Sequence, residues 1–234
     1  MARYAFSDLH GRLDLFERIC DFIQPDDELY CLGDCGDRGP QSWETIKAVL
    51  THPQVHYLKG NHEDMLVKAY FDYQKYDYYT DAYYLLCYNG GMETFIGLIN
   101  ETYAKDWAIK LKELPNIATI KNNKGDIVIM SHAGYTPGGP VPIEEDLLWD
   151  RSHFYDPFPE EEFPNTVMIH GHTPMSYMIG DGVTGINPKT LAYDNGHKID
   201  IDSGAVNTGI AILIDLDTYE IYKIYGEEFD YLKK

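Results

Sequence analysis

A layered α/β fold is what the first 60 residues of this 234-residue chain predict. Short β-type runs alternate there with helix-spaced apolar residues, in the order β-α-β-α-β. The strand-like runs end in small clusters of Asp, His, Asn and Gly, the residue types that gather at strand ends in open α/β sheets. The length suffices for one large domain with a sizeable core, so 1–234 is expected to be a single domain.

The elements follow in order. Tyr4 to Leu9 reads as a short strand. Leu13, Phe16, Ile19, Cys20 and Ile23 recur at helical spacing. Leu29 to Leu32 is a second strand. Pro40 opens a helix, where proline suits the first turn, and Trp43, Ile46, Lys47 and Leu50 continue it. Val55 to Leu58 is a third strand. Residues 62–114 read as mostly helical, with a Tyr-rich segment in which eight tyrosines fall between Tyr70 and Tyr88, before Asn89-Gly90-Gly91 breaks the pattern. These rings either pack between helices or cap a ligand site, and base rates for aromatics favour packing. Strands resume at about 116–121 and 126–131, joined by the hairpin signal Asn122-Asn123-Lys124-Gly125. Residues 135–165 hold six of the twelve prolines and read as a long ordered loop or lid. Short strands return at about 166–170, 198–202, 209–214 and 219–225.

At 44% hydrophobic and 24% charged, the composition is that of an ordinary soluble globular protein. A net charge of −19 argues against a nucleic-acid or anionic-membrane surface, since phosphate backbones are bound by Lys/Arg clusters. Arg3, Asp8, His10 and Arg12 interrupt any early apolar run, so no signal peptide is expected. No run approaches the roughly 20 apolar residues that span a bilayer. A cytoplasmic protein is expected, with Cys20, Cys31, Cys35 and Cys87 as free thiols; Cys35 reads as a small buried residue.

Five segments carry the chemistry: Asp8-Leu9-His10-Gly11, Gly33-Asp34-Cys35-Gly36-Asp37-Arg38-Gly39, Gly60-Asn61-His62-Glu63, Ser131-His132-Ala133-Gly134 and His170-Gly171-His172-Thr173. Asp8 and His10 are two apart, so an extended backbone puts both on one face, able to bind one ion together. Asp34 could bridge two ions, Asn61 offers a neutral amide oxygen, and His132 and His172 offer imidazole nitrogens. The mixed N/O set suits two divalent ions of the manganese, iron or zinc type better than magnesium or calcium. Manganese is the first expectation. Such a pair generates hydroxide near neutral pH and clamps phosphoryl oxygens. Arg38 and Arg151 are candidates for holding the phosphoryl group. His62 is the candidate general acid, oriented by Asp37. A lone Asp-x-His or Asn-His pair is weak; five clusters in this order would otherwise be coincidental turn chemistry. His172 is taken as the ligand and His170 is expected to point elsewhere, the backbone being free to turn at Gly171 between them. His52, His56, His153 and His197 sit in polar sequence and read as surface residues.

These segments resemble the phosphoprotein phosphatase branch of the calcineurin-like metallophosphoesterases, the bacterial type being nearest. The likeness runs over about 3–214. It implies a central β-sandwich flanked by helices. It implies that Asp8 and His10 hold the first metal, Asp34 bridges, and Asn61, His132 and His172 hold the second. His62 with Asp37 would form the acid dyad. Arg38 and Arg151 would grip phosphate, with Asn61 beside them; Leu148-Trp149-Asp150-Arg151 looks like the family's Trp-x-Arg segment. Ser7 stands where the family has its first glycine, a change expected to alter only local backbone freedom. Ala133 matches bacterial relatives. Asp202, in Ile201-Asp202-Ser203-Gly204-Ala205, resembles a family segment and reads as structural or supporting.

The implied activity is hydrolysis of phosphate monoesters in proteins, chiefly phosphoserine and phosphothreonine with phosphotyrosine also in reach. A phosphoprotein or small phosphoester is then the partner, and neither nucleic acid nor membrane. The alternative is a symmetrical dinucleoside tetraphosphate hydrolase, against which Asp37-Arg38 speaks, since the compared enzymes typically carry Asn-Arg there. A pseudoenzyme is disfavoured because every ligand position is filled. A nuclease is disfavoured by the acidic surface.

Overall fold

A computed structural model describes residues 1–180, 187 and 189–227. Two five-stranded sheets pack face to face. In the first, β1 (Arg3–Phe6), β2 (Glu28–Cys31) and β3 (Val55–Tyr57) run parallel, with Phe6 opposite Cys31 and Cys31 opposite Tyr57. The late strands β9 (Ile210–Asp215) and β10 (Ile221–Tyr225) extend the same sheet antiparallel to β1, giving the order β10-β9-β1-β2-β3. The second sheet has the order β4-β5-β6-β8-β7. It is built from the hairpin β4 (Ile117–Lys121) and β5 (Ile127–Ser131), then β6 (Thr166–His170), β7 (Ala192–Tyr193) and β8 (Lys198–Asp200).

Alternation explains why these segments stack in layers. Ala5, Tyr30, Leu32, Ile212 and Ile214 meet Val128, Met130, Val167, Ile169 and Ile199 between the sheets. Their neighbours Phe6, Leu29, Cys31, Ala211 and Leu213 point the other way, into the helices. That layer contains α1 (Leu13–Phe22) and α2 (Ser42–Thr51), and beyond them α3 (Asn61–Tyr76), α4 (Asp81–Tyr88), α5 (Met92–Ile99) and α6 (Ala104–Lys112). The central β-sandwich flanked by helices is therefore the architecture found. No helix among the described residues is long and apolar enough to cross a membrane.

Several boundaries differ from the sequence reading. The first strand ends at Phe6, because the chain turns at Asp8 with φ 55°. The second helix starts at Ser42, two residues after Pro40, and the Ser42 hydroxyl donates to the Gly39 carbonyl at 2.9 Å. The 135–165 segment is less irregular than expected. It contains α7 (Glu144–Trp149), whose start is fixed by the Asp146 carboxylate accepting the Ile143 N–H at 3.0 Å, and a 3-10 turn at Ser152–Phe154. Two short helices, α8 (Met175–Gly180) and α9 (Ala205–Thr208), and the two-residue β7 carry too little periodicity to be read from sequence.

The Tyr-rich segment divides. Tyr73, Tyr79 and Tyr83 surround Phe95, with ring centroids at 5.7, 6.3 and 4.9 Å, while Tyr76, Tyr84 and Tyr88 are exposed. His153 corrects the surface reading: its imidazole is 1% exposed. The 3-10 turn folds it against His170 (4.6 Å) and Phe154 (4.4 Å). Buried Lys198, paired with Asp194 at 3.0 Å, clamps that turn by donating to the carbonyls of His153 at 2.6 Å and Asp156 at 2.5 Å. His197 is also half-buried, stacked on Phe158 at 4.4 Å with its Nδ1 against the Thr166 carbonyl. His56 is exposed, as expected.

Ile214 is fully buried between the sheets. Ile214→Ala is expected to lower unfolding free energy by about 2–5 kcal/mol, read as a lower urea midpoint at unchanged slope. A change under about 0.5 kcal/mol would contradict tight packing between the sheets.

Candidate dinuclear metal site

The five polar segments leave the carboxyl ends of β1, β2, β3, β5 and β6 and meet in one place. The first two are zipped together beyond their strands. Asp8 N–H donates to the Gly33 carbonyl (3.1 Å), His10 N–H to that of Asp34 (3.0 Å) and Gly11 N–H to that of Cys35 (2.7 Å). Reaching this register needs unusual backbone. Among the described residues eleven that are not glycine have positive φ, and six of them are Asp8, His10, Asp34, Asp37, Arg38 and His172. Such conformations persist where surrounding contacts over-determine them, and they cluster at functional sites.

Glu63 supplies much of that determination. Its buried carboxylate accepts the N–H groups of Asp34 (2.8 Å) and Gly60 (2.9 Å) on one oxygen, and Cys35 N–H (2.9 Å) and the Tyr57 hydroxyl (2.7 Å) on the other. It thereby ties the loop after β2 to the loop after β3. A Cβ at Gly60 would strike the Asp34 carboxylate, and one at Gly171 would strike that of Asp8. Glycine is required at both by close approach.

The side chains converge around Asp34. Its Oδ1 lies 3.4 Å from His132 Nε2, and its Oδ2 lies 3.7 Å from His10 Nε2 and 3.8 Å from His62 Nε2. Asn61 Oδ1 lies 2.8 Å from His132 Nε2 and 3.1 Å from His172 Nδ1. Two groups of donors result, His10/Asp34/His62 and Asp34/His132/His172, each within 4.8 Å and sharing Asp34. The histidines are oriented from behind: His10 Nδ1 faces the Gly36 carbonyl at 2.9 Å, and His132 Nδ1 that of Leu32 at 2.8 Å. A proton on each Nδ1 leaves the Nε2 lone pair aimed into the site.

This arrangement fits divalent cations. Among the described residues, buried Asp8 Oδ1 and His172 Nε2 find no hydrogen-bond partner. His132 Nε2, His172 Nδ1 and Asn61 Oδ1 crowd together at 2.8–3.2 Å. Burial pulls the His132 pKa down, yet Asp34 and Asp8 push it up to about 10. Burial and the neighbouring Asp34 charge raise Asp8 to about 6. A cation among these groups would relieve both conflicts. Asp8 stands outside the two tight groups: its Oδ2 takes the Ser7 hydroxyl at 2.5 Å and the His172 N–H at 3.0 Å. Ser7 is thus a direct partner of Asp8, which corrects the expectation that it changes only backbone freedom.

The remaining predicted residues line the approach. His62 Nδ1 contacts Asp37 Oδ2 at 2.6 Å, and the Thr94 hydroxyl holds the other Asp37 oxygen at 2.5 Å. Burial opposes protonation of His62, but Asp34 and Asp37 raise its pKa above the usual histidine value. Arg38 spans His10 Nε2 and His62 Nε2, both at 2.8 Å. Arg151 donates from Nε to the Thr173 hydroxyl at 2.8 Å. Both arginines open onto one cavity of about 840 Å³, shared with His10, His172 and Asp202. His170 points away, its Nε2 2.8 Å from the Tyr193 hydroxyl. None of the tyrosines of the 70–88 segment lines this cavity; the turn that follows the segment touches the site through the Gly90 carbonyl, which accepts Arg38 N–H at 3.1 Å. All four cysteines are free, and Cys35 is buried with its sulfur 3.2 Å from that of Cys31.

Sequence reasoning gave Glu63, Thr94 and Thr173 no role. Glu63 had a signal: it is the third helical residue after Gly60, the capping-box position. Thr94 had none, since it reaches Asp37 from α5, 57 residues away.

The calcineurin-like phosphoesterase family matches residues 1–201. Among curated proteins, the symmetrical bis(5'-nucleosyl)-tetraphosphatase of Chromobacterium violaceum is 40% identical over 67 residues, 27% of this chain and 24% of that protein. The one from Delftia acidovorans is 37% identical over 73 residues, 30% of this chain and 26% of that protein. Both matches thus span about a quarter of the relatives' length. A candidate diadenosine tetraphosphatase has a similar structure, with TM-score 0.64 and 20% identity over 97% of this chain and 94% of that one. A protein serine/threonine phosphatase from Saccharomyces cerevisiae gives TM-score 0.57 and 15% identity over 99% and 82%. At these identities the structural likeness is one of fold.

Glu63→Ala would leave three buried N–H groups without an acceptor. A loss of about 3 kcal/mol or more in stability is expected, with reduced metal retained after dialysis. Urea unfolding and elemental analysis check both; stability unchanged from the parent would show that Glu63 does not join the two loops.

Proposed function

The chain belongs to the calcineurin-like phosphoesterases, and from that premise we propose that it is a metal-dependent phosphomonoesterase of the protein-phosphatase type. Its substrates are phosphoserine, phosphothreonine and phosphotyrosine residues. The supply of positive charge carries this reading. Among the described residues lining the cavity, Arg38 and Arg151 are the only Lys or Arg. Two guanidiniums match one phosphoryl group through paired hydrogen bonds. A tetraphosphate chain would place further anionic groups against a wall with no additional cation.

Asp8, His10, Asp34, Asn61, His132 and His172 would hold two divalent ions, manganese first by the mixed N/O donor set. When bound, the two ions supply an acidified water for attack on phosphorus and charge to offset the phosphoryl oxygens. The chain's own residues do the rest. Arg38 and Arg151 grip and orient the phosphoryl group from the cavity side, and the Asn61 amide borders it. Arg38 donates to His62 Nε2 in this structure; turning onto a phosphoryl oxygen would free that nitrogen to take up a proton from solvent, which Asp34 and Asp37 favour. Protonated His62 then gives the Nε2 proton to the leaving oxygen. Asp37 fixes the ring through Nδ1 and stabilises its charge, while Thr94 holds Asp37 in place.

The second reading, symmetrical cleavage of a dinucleoside tetraphosphate, draws support from the names of the two curated relatives. The deciding experiment strips the metals, restores manganese, and compares turnover of a phosphopeptide with that of diadenosine tetraphosphate. Faster peptide dephosphorylation is expected. Faster dinucleotide cleavage would move the function to nucleotide clearance with the same site.

His62→Ala should lower kcat on a phosphoserine peptide by about 10²–10⁴-fold. The loss on 4-nitrophenyl phosphate should be much smaller, because that leaving group needs no proton. Equal losses on both substrates would refute the general-acid role.

A further inference from the structure

The cavity is far larger than one phosphoryl group requires, at about 840 Å³, within the range of sites that enclose a drug-sized ligand. Its lining changes character with distance from Asp34. The inner end carries His10, Arg38, Arg151 and His172. Farther along, the chain passes through Thr173 and Pro174 into α8, and the lining takes in Tyr177 and Met178, with Tyr155, Val206 of α9 and the polar Asp202 and Asn207.

These outer residues differ in burial. Met178 is buried in a small cluster with Phe154, Met175 and Tyr193, so this part of the wall is fixed. Val206 is buried as well. Tyr155 and Tyr177 are 60% and 61% exposed, their rings largely uncovered by protein. Tyr155 follows the 3-10 turn that Lys198 clamps through the carbonyls of His153 and Asp156. The same turn begins just after Arg151. The phosphoryl anchor and this tyrosine are therefore held as one unit. Exposed tyrosines on α3 and α4 lie outside the cavity and have no such relation to the phosphoryl site.

Uncovered rings beside a buried thioether favour a flat, polarisable ligand. Aromatic pairs gain from offset or edge contact, and methionine sulfur adds a contact of its own. A phosphoserine side chain is a single methylene and would leave this wall bare. Building on the phosphomonoesterase reading, we propose that Tyr177, Tyr155 and Met178 form a ring-binding wall that selects phosphoesters bearing a planar aromatic group on the leaving side. That group is a tyrosine side chain, and a parent that prefers the dinucleotide would assign the ring to a nucleobase instead. The wall acts on substrate choice and leaves the bond-breaking steps to the inner residues.

The test compares manganese-loaded parent, Tyr177→Ala, Tyr177→Phe and Tyr155→Ala proteins. Substrates are a phosphotyrosine peptide, the same peptide with phosphoserine, and diadenosine tetraphosphate. For Tyr177→Ala, the ratio of kcat/KM on the ring substrate to that on the phosphoserine peptide should fall roughly tenfold, mainly through KM. Tyr177→Phe should keep the ratio within about twofold, because the ring remains. Which ring substrate the parent prefers assigns the source of the ring. An unchanged ratio in both alanine variants overturns the wall. Calorimetric binding of a non-hydrolysable phosphonate analogue of phosphotyrosine separates the two levels. If no ester is turned over but the analogue binds tenfold more weakly to Tyr177→Ala, the wall stands and the phosphomonoesterase reading fails. If esters are turned over with no dependence on either ring, the wall fails and the phosphomonoesterase reading stands.

Discussion

Glu63 is wholly buried, and its carboxylate collects three backbone N–H groups and one phenol hydroxyl. Two of those N–H groups belong to Asp34 and Cys35, after β2; the third belongs to Gly60, after β3. The strands themselves are only four and three residues long in those places. Ladder hydrogen bonds alone would not fix loops that leave such short strands. The carboxylate does so, and because Asn61 and His62 directly follow Gly60, it places both beside Asp34. Asp34 then accepts His62 N–H at 3.1 Å, closing the connection. A hydrogen bond to a charged acceptor is stronger than a neutral one, and several on one buried group act together.

Strain at the site is the counterpart of that constraint. Left-handed backbone at a non-glycine residue costs on the order of 1–3 kcal/mol, and Asp8, His10, Asp34, Asp37, Arg38 and His172 all adopt it. Each of these turns a side chain inward that a continuing strand would have pointed to alternating faces. The cross-bonds between the first two loops, the Glu63 cluster and the Ser7 and His172 contacts to Asp8 hold this geometry. The β-sandwich beneath contributes rigidity, because both faces of the first sheet are packed. The site is thus preformed by backbone restraint, with side-chain rotamers following.

Local signals made the fold and the ligand set legible. Period-two alternation in Ala5-Phe6 and Ala211 to Ile214 sends neighbours to opposite layers, and each polar cluster adjoins its own strand. His170 and His172, two apart, would share one face of a continuing strand; they separate because β6 ends at His170 and His172 takes φ 73°. What escaped depends on contacts distant in sequence. His153 looked exposed because Ser152 and Tyr155 are polar neighbours, yet a lysine 45 positions later pulls its turn down onto the second sheet. Thr94 joins the site from a helix with no motif. Tyr177 lies on α8 and Tyr155 just after the 3-10 turn, and only the folded chain sets both on one cavity. Glu63 was visible inside its motif, but its role needed the positions of three amides.

The charge balance at the site links substrate binding to metal binding. Asp8, Asp34, Asp37, Glu63 and Asp202 are all buried around it. Burial and Asp8 raise Asp202 well above the ordinary carboxylate range, and Asp8 itself is lifted to about 6. Burial is the first cause of both shifts, and beyond it five acidic side chains stand there against Arg38 and Arg151, an excess of acidic groups. A phosphoryl dianion entering the same space would add to that excess, within a molecule of net charge −19. At short range in a buried site such repulsion is screened far less than in water. Two divalent ions would reverse its sign. Under the proposed function the arginines would orient a phosphoryl group, and ions held by the six donors would make its arrival favourable. Metal occupancy would then govern affinity for the phosphoester as well as the reactivity of water.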